Sequence, residues 1–205
     1  MSTLARRRGG ALAACLLVLL GCTRQAADSA HAEPAAPSAD ALVVSLDDVE
    51  KISGAGDLHS AESADLHQPK NAYDPSFLSP ECQQAMPMES VFGAGWKQFR
   101  SVEYVGSANR GVTQSVAVFR SAADAAAALE RIAAAYRRCM GTGGKYSQYT
   151  VTRNAPSQLR LSWGDASEVY ETKGAVLVDV YSVHFPNAGE ISTGVTNIIT
   201  GRIAN

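Results

Sequence analysis

Ala11 to Leu20 reads ALAACLLVLL, ten apolar residues behind three consecutive arginines, Arg6, Arg7 and Arg8. A helix needs about 20 residues to cross the hydrocarbon core of a bilayer, so this shorter run with a positive flank reads as the core of a signal peptide. That feature constrains everything downstream. The rest of the chain must fold after export, in a compartment where thiols oxidise. The composition agrees with one soluble domain: 205 residues, 46% hydrophobic, 19% charged, mean hydropathy −0.07. It excludes a polytopic membrane protein, a collagen-like chain and a wholly disordered one.

The run ends in Leu19-Leu20-Gly21-Cys22. This resembles the bacterial lipobox, in which the cysteine after a small residue receives a diacylglyceryl thioether and becomes the mature N-terminus. The alternative is a plain secretory signal with a chance cysteine. Two acyl chains on Cys22, or three if its amine is acylated too, hold a protein far better than one, since each buried CH₂ contributes about 0.8 kcal/mol. The expectation is a signal peptide over residues 1–21 and a cell-membrane lipoprotein on the extracytoplasmic face, the membrane being a partner through the N-terminal lipid. Loss of residues 1–21 removes three arginines and no acid, and the net charge moves from −2 to −5. A pI near 6.1 leaves no basic footprint for nucleic acid.

Of four cysteines, Cys15 falls in the signal and Cys22 carries the lipid. Cys82 and Cys139 remain, and two cysteines permit a single intramolecular disulfide. Closing so long a loop stabilises a fold by about 4 kcal/mol on the chain-entropy account, an upper figure. The rival reading, a thiol nucleophile or metal pair, needs a CxxC or His spacing that the sequence lacks.

Residues 22–41 are rich in Ala, Pro and polar side chains, with no aromatic or large aliphatic residue. They cannot bury enough apolar surface to offset the ordering of their backbone, and they read as a flexible tether. The domain is expected over 42–205. Ser45 is placed to cap a helix whose apolar stripe is Leu46, Val49 and Ile52. A second helix is expected from Ser79-Pro80-Glu81-Cys82. Gln98–Val105 and Val112–Phe119 read as a hairpin. Ser121 to Met140, with Asp124 three residues after the cap, is the clearest helix. Tyr146–Arg153, Gln158–Trp163, Ser167–Glu171 and Ala175–Phe185 read as strands, and Glu190–Ile203 as a closing helix. The order predicts an α+β fold, a twisted antiparallel β-sheet packed with α-helices in a single domain.

Catalytic patterns are missing: the chain has no G-x-S-x-G, S-x-x-K or H-E-x-x-H, and nothing calls for a metal or a cofactor. His59 and His67 lie among acids and serines without a third ligand at defined spacing. His184 is placed on the face of Val176, Val178 and Val180, opposite Asp179, and reads as a hydrogen-bonded histidine near a strand end. Leu159, Leu161 and Trp163 alternate with Gln158, Arg160 and Ser162, which gives one packed and one wet sheet face. If consecutive strands pair, Gln148, Thr150, Gln158, Arg160, Ser162 and Tyr170 make a polar candidate surface for an envelope ligand. Plain solvent exposure is its alternative.

Pro80-Glu81-Cys82, Val91-Phe92-Gly93 through Trp96, Val116-Ala117-Val118-Phe119 running into Ser121-Ala122-Ala123-Asp124-Ala125, and Tyr136-Arg137-Arg138-Cys139 together form a pattern. It resembles the extracellular sensor domain of mycobacterial PknH-type receptor kinases, a domain that also occurs as free-standing lipoproteins. The resemblance covers residues 42–205. It implies a twisted antiparallel sheet with helices around it and a cleft for an unidentified ligand, with Cys82 and Cys139 structural. This chain departs from the kinase in having no kinase domain, no transmembrane helix and one candidate disulfide where the kinase's domain has two. The expected function is a non-catalytic, sensor-like domain that binds a small ligand or an envelope protein. A lipid or glycolipid carrier is the alternative, with a secreted hydrolase behind it.

Overall fold

The first described element is a capped helix. The computed structural model describes residues 37–71, 74–143 and 148–204. The expected signal peptide, Cys22 and most of the expected tether lie outside the described residues. Ser38 caps a short helix, α1 (Ala39–Leu42), its hydroxyl accepting from the Ala41 N–H. Ala39 and Leu42 are buried. The packed chain therefore starts ahead of Leu42, because even a short Ala-rich turn can seat two apolar side chains when a sheet waits beneath it. Ser45 caps α2 (Leu46–Ser53) by accepting from the Asp48 N–H at 3.3 Å, and Gly54 ends it at φ +70°.

The expected helix at Cys82 forms only a 3₁₀ turn, Cys82–Gln84, and after Pro87 comes the one-turn helix α3 (Met88–Phe92). Pro87 lacks an N–H and so breaks the ladder between them. Gly93 follows at φ +59°, and a Cβ there would sit 3.0 Å from Arg131 Nη2. That arginine donates to the α3 carbonyls of Val91 and Phe92.

The strands are β1 (His59–Ser60), β2 (Trp96–Val105), β3 (Gly111–Phe119), β4 (Thr150–Ala155), β5 (Gln158–Trp163), β6 (Ala166–Lys173) and β7 (Val176–Val183). Two longer helices complete the fold, α4 (Ala122–Gly141) and α5 (Ala188–Gly201). Among the described residues the strands form one antiparallel sheet in the order β1-β2-β3-β7-β6-β5-β4. The α4 crossover carries the chain from β3 to the far edge, and the β4–β7 meander returns it to pair with β3 at the centre. The α+β architecture expected from the sequence is the one observed, in a single domain.

Each face of the sheet carries its own apolar layer. One joins Phe99, Ala117 and Leu177 to the buried side of α4 and to Phe92, whose ring meets Phe99 edge-on at 4.9 Å. The alanines of α4 (Ala125, Ala128, Ala133, Ala135) let it lie close to its neighbours. Cys82 and Cys139 form a disulfide in this layer, tying the 82–92 segment to the end of α4. The opposite layer joins Val112, Val116, Val178 and Val180 to α1, α2 and α5. There the buried Gln114 clamps Val44, accepting its N–H at 2.7 Å and donating to its carbonyl at 2.8 Å.

Candidate functional site

Register decides which side chains meet. In the antiparallel ladder Glu103, Thr113, Tyr181 and Glu168 are successive cross-strand neighbours over β2, β3, β7 and β6. Two residues along, Ser101, Ser115, Asp179 and Tyr170 form a second row on the same face. Helix α4 covers the apolar end of this face, at Ala117 and Leu177, and leaves the two polar rows as the floor of a cavity of about 720 Å³. Drug-sized ligand sites span roughly 300–1,000 Å³. The walls are the 63–71 segment with Leu66, the 86–91 segment with Met86, Met88 and Val91, and the rings of Tyr136, Tyr149 and Trp163. Asn71 latches the first two walls together: its Nδ2 donates to Glu89 Oε2 at 3.0 Å, and its Oδ1 accepts the Glu89 N–H.

The floor holds a carboxyl–tyrosine network. Tyr170 OH donates to Glu168 Oε1 at 2.6 Å and Tyr136 OH to Glu168 Oε2 at 3.0 Å. The two phenol oxygens are 3.3 Å apart. Burial, then the charge of Glu168, pushes the Asp179 carboxyl well above the usual carboxylate range. Burial also raises Glu168, against the lowering effect of hydrogen bonds from Tyr170, Tyr136 and Asp179. Of the two, Asp179 is raised further, and the pair shares the strain of holding negative charge away from water. Asp179 Oδ1 is buried without a hydrogen-bond partner. Glu103, at the edge of the floor, is raised by burial as well, and the Tyr181 phenol, half-buried and close to Glu168, is pushed up to about 12. Along one side the rings stack, Trp163 lying 4.2 Å from Tyr149 and 5.6 Å from Tyr181, the latter pair nearly parallel at 13°.

The polar surface expected from the sequence does not assemble as one site. Thr150 pairs with Ser162, and Arg160 with Val169 and Thr152, so Thr150, Ser162, Arg160 and Gln158 share the face towards α5. Arg160 is occupied there, with Nη1 donating to the Gly189 carbonyl and Nη2 to Thr193 Oγ1. Gln158 donates to Glu171 Oε2 at 2.7 Å, and Gln148 is exposed ahead of β4. Tyr170 is opposite Leu159 and therefore lies on the other face, buried in the cavity floor. Polarity alone groups Glu168 and Tyr170 with the wet positions of β5. Antiparallel pairing instead puts them with its apolar ones.

His184 is the hydrogen-bonded histidine near a strand end that the sequence leads one to expect. The strand ends at Val183, and His184 takes φ +61°. It meets Asp165 across the sheet end, Nδ1 to Oδ2 2.8 Å, which lowers the Asp165 carboxyl. Among the described residues no three His, Cys, Asp or Glu side chains are grouped to hold a metal.

The chain matches the family model of the PknH-like extracellular domain over residues 34–202. It belongs to that family. Among solved structures it is similar to the extracellular domain of PknH from Mycobacterium tuberculosis, with TM-score 0.54 and 18% identity over 80% of this chain and 95% of that one. At that identity the likeness to the PknH domain is one of fold. A comparison with curated proteins finds no match. The family's fold accounts for the sheet and its helices, and membership agrees with an extracytoplasmic place for the domain. Among the described residues no helix is long and apolar enough to cross a membrane.

Asp179, Tyr181 and Trp163 are site residues that sequence reading did not gather, and Glu168 is one that it set on the wet face. A signal existed. Asp179 and Tyr181 stand two apart in a strand otherwise rich in Val and Leu, and Glu168 and Tyr170 stand two apart in its neighbour. Polar residues at period two inside central strands mark one face of the sheet that is not filled by core.

Proposed function

We propose that this chain is a lipid-anchored, extracytoplasmic, sensor-like protein whose domain binds a small ligand in the sheet cavity without transforming it. One observation supports this above others: a cavity of ligand size whose floor concentrates buried, ionisable groups under an aromatic wall. Keeping carboxyls in such a place is costly for folding and is typical of functional sites. The same floor argues against an acyl-chain carrier, since methylene groups would lie against Glu168, Asp179 and four phenols. Nor does it resemble a glycosidase pair, because hydrogen-bonded carboxyls leave no room for the sugar and water between them.

Native mass spectrometry of the protein purified from its own envelope tests the ligand reading. A small non-lipid adduct that is absent from Asp179→Asn is the expected result, and co-purified acyl lipid would replace this reading with the carrier. For the anchor, Cys22→Ser is expected to move the protein from the membrane fraction to the soluble one. Unchanged membrane retention would reject lipidation at Cys22. Turnover of any member of an ester and glycoside panel would overturn the non-catalytic assignment.

A further inference from the structure

Three carboxyls face the cavity from three strands, Glu103 on β2, Glu168 on β6 and Asp179 on β7. Among the described residues no arginine or lysine forms an ion pair with any of them. One base, Lys70, also lines the cavity, from the exposed wall segment. Asp179 Oδ1, buried in the floor, accepts no hydrogen bond. Separately, Trp163 packs against both Tyr149 and Tyr181, so the cavity has an aromatic wall next to its acids. Acid alone would attract any cation, including a hydrated metal, and aromatic rings alone would suit any apolar group. Their combination fits a cation with a carbon shell, which aromatic faces attract through their quadrupole while a carboxylate balances the charge. An anion would meet three acids. A neutral polyol would draw nothing from the negative charge that these acids can carry.

Resting on the reading of this cavity as a ligand site, we infer that its ligand presents an organic cation, an alkylammonium or guanidinium group held over Glu168 and Asp179 with its carbon shell against Trp163 and Tyr181. The inference carries a pH signature. The groups facing the pair are Tyr170 on β6, Tyr181 on β7, Glu103 on β2, Tyr136 on α4 and Lys70 in the wall, with Asp165 acting on Tyr181 from the sheet end. Tyr136, Tyr170 and Tyr181 are all raised, so across the neutral range the proton that moves is the one on the carboxyls. An arriving cation favours their ionised form and expels that proton. Binding therefore tightens as pH rises through the raised carboxyl range, by up to about tenfold per pH unit for one proton released.

The test compares choline with its neutral carbon isostere, 3,3-dimethylbutan-1-ol, and with maltose, on the full-length chain. Binding is read from the Trp163 indole resonance and from calorimetry in buffers of different ionisation enthalpy. Choline is expected to bind at least about tenfold more tightly than the isostere, with proton release. Glu168→Gln combined with Asp179→Asn is expected to abolish that preference while its melting curve shows it folded. Equal binding of choline and the isostere, or maltose binding without proton release, overturns the cation inference and leaves the ligand site standing. No response at Trp163 to any of the three probes overturns both.

Discussion

Asp179 shows how a single side chain can work against the fold that holds it. Its carboxyl has a folded-state pKa above the unfolded one, so the native state holds its proton more tightly. Stability from this group is therefore greatest in acid and falls as pH rises from about 4 through the folded value. Asp179→Asn removes the ionisation and keeps the shape. We expect it to raise Tm by roughly 2–4 °C at neutral pH, a gain of about 1 kcal/mol in a domain of this size, fading near pH 4. A Tm lowered at neutral pH would show that the carboxylate itself holds the floor together. The position was visible in the sequence as the acid in an apolar strand, but its neighbours were not. Which residues stand opposite it depends on the β6–β7 register, and a one-residue slip would have put Glu168 and Tyr170 on the other face.

Among the elements, the disulfide carries the clearest expectation. Cys82 and Cys139 are 57 residues apart and join a segment with little regular structure of its own to the last turn of α4. Cys82→Ala with Cys139→Ala is expected to cost up to about 4 kcal/mol, and hence to lower Tm by roughly 8–16 °C. A fall of less than about 2 °C would mean that packing of Phe92 and Arg131 already fixes that segment. Elements with strong local signals were legible in advance: α2 and α4 from their caps and stripes, β5 to the residue, and the hairpin of β2 and β3. Less legible were the pieces that gain order only from contact. The α1 turn exists because Ala39 and Leu42 find a sheet to cover. Conversely, the helix expected at Cys82 is cut short by Pro87, and β1 amounts to two exposed residues along β2.

At the scale of the molecule, the two faces of the sheet have different tasks. One is sealed by α1, α2 and α5, down to Arg202 donating to the carbonyls of Leu42 and Val43. The other is sealed by α4 along half its length and open over the polar rows. Hydrogen exchange should follow this division, slowest in β3 and β7 at the centre and faster in residues 61–71 and 82–92. On addition of a bound ligand, added protection is expected in those two wall segments and not in the central strands. Protection gained chiefly in β3 and β7 would contradict it.

The Asn71–Glu89 latch gives this division its consequence. The acids rise from strands hydrogen-bonded on both sides, whereas among the described residues Asn71 and Glu89 join the walls above them. The floor is built into the sheet, and the lip is built from loops and one turn of helix. Whatever distinguishes the filled protein from the empty one has to touch the lip.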